Sequence, residues 1–276
     1  MFLLSTTLAL YYLGSLVNAQ SSNENAISIA AIEAHFTGAG LVPSLLSSFD
    51  PSALITVTFP GVGAISPGQS LTKDRGTDPR NLLVPANSSV TLQGNYTLVM
   101  ADADVVGADE SVGQTRHWLV NGVTLTGSSP LNVSTTGGVA VTEYAGPAPP
   151  AGSGAHRYVI LLLPQPSSFS PPANLSQPNV GVSVFHLTDY ISTSHLGVPV
   201  AGMYFDVEQG TATATPSPTS PVVSSTLKPA ASGSSSASSS ASSSKSSSSN
   251  AAIRSGHSVL AIPVAVFSLL ASYICL

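Results

Sequence analysis

From residue 54 to residue 207 the strongly apolar runs are short, rich in β-branched or aromatic side chains, and separated by Gly, Pro, Asn and Ser. That pattern specifies strands joined by turns. The runs are Leu54 to Phe59, Tyr96 to Met100, Trp118 to Val120, Val139 to Tyr144, Tyr158 to Leu163 and Met203 to Val207. Ile55, Val57 and Phe59 alternate with Thr56 and Thr58, as in a strand with one wet face. Tyr158 to Leu163 is apolar throughout, which predicts a central strand covered on both faces. Helical periodicity is confined to Ile27 to Phe36, a turn near Leu41 to Ser48, and Leu187 to His195. The expectation is one mainly β domain with a few short helices and no internal repeat.

The two ends are expected to lie outside that domain. Phe2 to Val17 is too short to span a bilayer comfortably and runs into Val17-Asn18-Ala19, the small residues a signal peptidase needs, so residues 1–19 read as a signal peptide. Val259 to Leu276 ends the chain with no basic residue behind it, unlike most membrane anchors. Before it come the small residues Ser249, Asn250, Ala251 and Ala252 and a polar spacer, Ile253 to Ser258. This order is the signal for GPI attachment, placed at Asn250 with residues 251–276 removed; a simple tail anchor is the competing reading. Cys275, the single cysteine, would leave with the tail, so stability must come from the core and not from disulfides. Residues 211–250 are Thr, Pro, Ala and then almost unbroken Ser, too polar to offset chain entropy by burial, and read as an O-glycosylated stalk.

Residues 20–210 remain as the folded domain, long enough for one substantial core. Four sequons, at Asn87, Asn95, Asn132 and Asn174, fit a secretory route to the extracellular face of the plasma membrane or the cell wall. Sequons, stalk and tail together suggest a eukaryote, fungal in the style of its serine-rich spacer. The domain carries thirteen Asp and Glu against five Lys and Arg, a net of −8. An acidic domain gains nothing from a phosphate backbone, so nucleic acid is not an expected partner.

Chemistry-bearing residues gather in three fragments: Asp102-Ala103-Asp104 after an apolar strand, Arg116-His117-Trp118, and Gly154-Ala155-His156-Arg157-Tyr158 opening another strand. Side chains two apart in extended chain share a face, which pairs Asp102 with Asp104 and His156 with Tyr158 and turns Trp118 away from His117. A carboxylate bonded to one imidazole nitrogen raises the proton affinity of the ring and leaves the other N–H pointing outward. Two such rings and a phenol would offer three donors to a phosphate or carboxylate group. The competing reading has each His satisfying a local carbonyl and each Asp capping a turn. Arg157 reads as a buried structural partner of Asp104 or Glu143. Trp118 reads as core, and Asp109 and Glu110 as solvated surface.

The succession Tyr96-Thr-Leu-Val-Met-Ala-Asp-Ala-Asp, His117-Trp-Leu-Val-Asn and Glu143-Tyr-Ala-Gly-Pro-Ala-Pro-Pro-Ala-Gly-Ser-Gly-Ala-His-Arg-Tyr-Val159, with Pro199-Val-Ala-Gly202 before the last strand, resembles the phosphatidylethanolamine-binding protein family. The resemblance covers about Leu54 to Val207. It implies a β-sandwich-like fold with a small anion pocket at one end of the sheet, accepting phosphate-bearing head groups without enzymatic chemistry or a cofactor. Carried over, the pocket acids are Asp102 and Asp104, the histidines His117 and His156, the tyrosine Tyr158, and the rim Pro149 and Pro150. The family also contains carboxypeptidase inhibitors, kinase regulators and flowering signals, so a peptidase is a possible partner.

The departures matter too. Prolines usual in the Asp-Pro-Asp-Ala-Pro turn are absent from Asp102-Ala103-Asp104-Val105-Val106, and Thr115-Arg116 replaces the usual Trp-His, which exchanges an aromatic wall of the pocket for a cation. No helix is expected after Val207. Two further readings compete: a metal-dependent hydrolase built on the two acids and two imidazoles, although no HExxH spacing or Gly-x-Ser-x-Gly elbow occurs, and a peptidase inhibitor or other protein-binding surface module acting through exposed loops. Gly152-Ser153-Gly154 reads as turn chemistry.

Overall fold

The computed structural model of the protein describes residues 24–79, 81–85, 92–211 and 223. The segment read as a signal peptide, Asn87, the expected GPI site at Asn250 with the tail after it, and nearly all of the segment read as a stalk lie outside the described residues. Among those residues no helix is long and apolar enough to cross a membrane.

Among the described residues eleven strands form one curled, mixed sheet. Its centre is β5 (Asn95–Asp102), β6 (Gln114–Thr126), β9 (His156–Pro164) and β11 (Ala201–Val207), antiparallel in the spatial order β6-β5-β9-β11. β9 is buried along its length except at Pro164, as its unbroken apolar run predicts. Short strands complete the sheet: β1 (Thr56–Phe59) and β4 (Asn81–Val84) on the β6 side, β7 (Leu131–Ser134) between β4 and β6, β3 (Gln69–Leu71) beside β11, and β8 (Val139–Thr142) and β10 (Ser183–Phe185) along β6.

Each face of the sheet has its own core. On the first face Leu98, Met100, Trp118, Tyr158, Ile160 and Phe205 pack with Val57, Phe59, Leu82 and Val84, so the β1–β4 edge curls back over the central strands and gives the sandwich-like layering. On the second face Val99, Leu119, Val159, Leu161 and Tyr204 pack against Ile32 and Phe36 of helix α1 (24–38) and against Leu41, Leu45 and Phe49 beyond it. Phe36 stacks on Phe49 with centroids 4.0 Å apart. Gly202 permits that approach: a Cβ there would lie 2.8 Å from the Phe49 ring and 3.0 Å from Phe36 and Leu161. The second described α-helix, α2 (Leu187–Thr193), buries Leu187 and Tyr190 on the same face.

One irregularity positions the site. β5 and β6 pair Met100 with Trp118 and Ala101 with Arg116, so His117 is an extra residue in β6, a β-bulge. The expectation that Trp118 turns away from His117 is therefore corrected. Trp118 belongs to the first core, and His117 meets Tyr158 of that same core, whereas Arg116 bonds Thr142 and faces Phe185 of the second. The bulge resets the two-residue period, which no sequence pattern reveals.

Candidate functional site

Asp102 ends β5, His156 and Tyr158 open β9, and His117 lies near the start of β6. Antiparallel pairing brings these termini to one end of the sheet, with Asp102 directly opposite Tyr158. The Asp102 carboxylate accepts from His156 Nδ1 at 3.0 Å, and its Oδ1 also accepts from the Asp104 amide at 2.8 Å. Strand geometry stops at Asp102, and Asp104 adopts φ +54°, a conformation Asp tolerates because its short side chain bonds locally; here Oδ1 accepts from the Val105 amide at 2.6 Å. This turn brings Asp104 Oδ1 to 3.4 Å from His156 Nε2. Both acids thus converge on one ring.

His156 is held at both nitrogens. Ser153 Oγ lies 2.8 Å from both the Pro150 carbonyl and His156 Nε2, so its single proton serves one of them at a time. A ring that donates from Nδ1 to Asp102 accepts from Ser153 at Nε2 when neutral and donates from both nitrogens when charged. Burial opposes the charge, but the Asp102 hydrogen bond and the Asp102 and Asp104 carboxylates outweigh it and raise the pKa. The outward N–H expected of this ring is already engaged. Asp102, His156 and Ser153 have the order of a nucleophile-activating triad, with Ser153 Oγ equally close to the Pro150 carbonyl.

His117 behaves differently. Its Nδ1 lies 3.1 Å from the Ala145 carbonyl, which can only accept, so the neutral ring carries its proton there and protonation adds an N–H at Nε2. Burial lowers its pKa, offset in part by the carbonyls of Ala145 and Gly146 and by Asp102. The ring meets Tyr158 edge-on with centroids 5.2 Å apart. Tyr158 is fully buried, its hydroxyl accepts from the Ala148 amide at 3.2 Å, and burial followed by the Asp102 carboxylate pushes its pKa far up, so it is a neutral phenol. On the adjoining loop Pro149 is buried and Pro150 exposed.

Three expectations change. Arg116 does not enter this pocket: the bulge sends it to the other face, so no cation replaces the missing aromatic wall. Arg157 is a structural cation, but its carboxylate partner is Glu110 at 3.2 Å, while Glu143 is exposed and Asp104 contributes only its carbonyl. Glu110 is accordingly no solvated surface residue, with a side chain 10% exposed that also accepts from Gln114. The residue missed from sequence is Ser153, which reads as a turn residue; its spacing three before His156 is the only signal available. Among the described residues no three His, Cys, Asp or Glu side chains are arranged to hold a metal ion. Asn95, Asn132 and Asn174 are all exposed.

Comparison with known proteins adds a family. The model of the phosphatidylethanolamine-binding protein family matches residues 48–205, more than half of the chain. The "26 kDa secreted antigen" of Toxocara canis is 29% identical over 173 residues, 62% of this chain and 62% of that protein. CEN-like protein 1 of Nicotiana tabacum is 27% identical over 180 residues, 63% of this chain and 91% of that protein. The carboxypeptidase Y inhibitor of Saccharomyces cerevisiae is 29% identical over 146 residues, 44% of this chain and 66% of that protein. Among solved structures, carboxypeptidase Y inhibitor complexed with its cognate proteinase matches with TM-score 0.53 and 24% identity, over 65% of this chain and 95% of that chain, a likeness of fold.

Proposed function

The chain belongs to the phosphatidylethanolamine-binding protein family, and on that premise we propose that it is a non-enzymatic, GPI-anchored surface protein that holds a small anionic group, a phosphate or phospholipid head group, at the Asp102–His156 end of its sheet. The observation that carries this reading is the 3.0 Å Asp102–His156 pair with His117 and Tyr158 beside it. An entering anion takes the place of Ser153 and the 57% exposed Asp104 side chain at His156 Nε2, exchanging a neutral and a solvent-exposed partner for an anion held in the pocket.

The test measures binding of inorganic phosphate by calorimetry and of phosphatidylethanolamine vesicles by flotation. Asp102→Ala and His156→Ala are each expected to weaken binding at least tenfold, roughly the 1.4 kcal/mol or more of a charge-assisted hydrogen bond. Binding by both variants at the parent's strength would sink the assignment. Vesicle binding without phosphate binding assigns the site to a lipid head group.

His117 gives a pH prediction. Its folded pKa lies below 6.5, and only its charged form offers the Nε2 donor, so oxyanion affinity should strengthen as pH falls below that value. Sulfate, which does not titrate in this range, is the probe. In His117→Gln that rise should vanish; an unchanged profile assigns the titration elsewhere.

A second reading, inhibition of a serine carboxypeptidase through exposed loops, is favoured by the similarity to the carboxypeptidase Y inhibitor of Saccharomyces cerevisiae. It predicts stoichiometric loss of carboxypeptidase activity on titration, unaffected by His156→Ala.

A further inference from the structure

Arg116 is 1% exposed, yet among the described residues it has no carboxylate partner within ion-pair distance. Neutral oxygens hold it: Nε donates to Thr142 Oγ1 at 2.6 Å, and Nη2 to the Gly181 carbonyl at 2.9 Å and Ser183 Oγ at 3.1 Å. The guanidinium carbon lies 5.4 Å from the centre of the Phe185 ring. None of these hydrogen bonds uses Nη1. A guanidinium cannot shed its proton to escape burial, so the lone charge is costly unless something supplies a counter-ion.

The place for one lies beside it. Arg116 lines a cleft of about 400 Å³ between β10, α2 and the 172–184 segment, within the usual size of small-molecule sites. Leu175, Val180, Val184 and Phe185 make much of its wall apolar, and Val180 and Val184 are 44% and 62% exposed. Asp189, also on the lining, is exposed and repels a second negative charge.

We propose that this cleft is a second binding site, on the face of the sheet opposite His117 and His156, for a small monoanionic organic acid whose carboxylate pairs with Arg116 and whose apolar body lies along Leu175, Val180, Val184 and Phe185. The planar guanidinium suits a carboxylate fork, and the valine surface gains by being covered. Because the site shares no residue with the phosphate site, it stands whether or not that reading holds.

The test uses the full chain stripped of N-glycans, since Asn174 heads a sequon and lines the cleft. Saturation-transfer NMR compares octanoate, octanol and octylamine. Octanoate is expected to bind at least tenfold more tightly than octanol, with octylamine not bound at 1 mM by order of magnitude. Arg116→Gln should abolish the preference for octanoate over octanol. Because that change touches a buried cation, Val184→Trp provides the second arm: it fills the cleft from an exposed position, and should remove octanoate binding while leaving the melting temperature and phosphate binding as in the parent. Equal binding of octanoate and octanol, undiminished octanoate binding by Val184→Trp, or displacement of octanoate by inorganic phosphate would each overturn the proposal.

Discussion

Replacing Arg157 by Met is expected to lower folding stability by about 3–5 kcal/mol, the cost of removing one partner of a buried ion pair and stranding the other. Arg157 is 2% exposed and lies behind the site, not in it. Its guanidinium donates to the carbonyls of Ala39 at 2.8 Å, Asp104 at 3.1 Å and Val105 at 2.9 Å, to that of Ala103, and to Glu110. It ties the end of α1 and the whole 103–105 turn to β9, and so stiffens a turn that contains no proline. Urea unfolding of Arg157→Met, Glu110→Gln and the double variant checks the account. The double variant should recover part of the loss, because the Glu110 carboxylate is no longer stranded; a loss below 1 kcal/mol in the single Arg157 variant would refute the structural role. The Asp104 turn should loosen as well, weakening phosphate binding in a variant that removes no ligand contact.

Asp206→Asn is expected to act in the opposite direction. Asp206 sits across from Arg157 on β11, and its Oδ1 is buried without a hydrogen-bond partner. Burial pushes its carboxyl up from 3.8 to about 6, against the pull of Arg157. A raised acid favours the folded state while protonated. Its contribution is therefore fully present below the unfolded value of 3.8 and lost as pH climbs through about 6. Two pKa units correspond to roughly 3 kcal/mol, as an order of magnitude. Asn removes this ionisation, so the variant should be more stable than the parent at pH 7.5 and close to it at pH 3.5. Chemical unfolding at both values decides; an equal difference at the two would rule out titration of Asp206 as the cause.

Central strands were legible because their apolar runs are uninterrupted. Tyr158 to Leu163 reads as central and is buried on both faces, and α1, α2 and the 41–48 turn follow their periodicity. β6 extends well beyond the Trp118 to Val120 run because Gln114, Arg116 and Asn121 are polar yet buried, with hydrogen bonds to partners remote in sequence. Asn121 Oδ1, for example, accepts from Thr97 and Tyr190 at 2.9 Å each. The short β4, β7 and β10 have too few residues for a period to show. At the site, the residue types and strand ends were readable, but Ser153 over His156, Glu110 against Arg157 and the direction of Arg116 depend on loops folding back and on the bulge. A local pattern carries no such information.

The extra residue in β6 has a consequence for how this surface can diversify. Two neighbouring positions, 116 and 117, answer to separate chambers on either side of a single ribbon of backbone. Selection can therefore retune one chamber through a one-residue change while its neighbour is held fixed, whereas deleting either residue would remove the bulge and leave a single side chain where two now serve separate chambers.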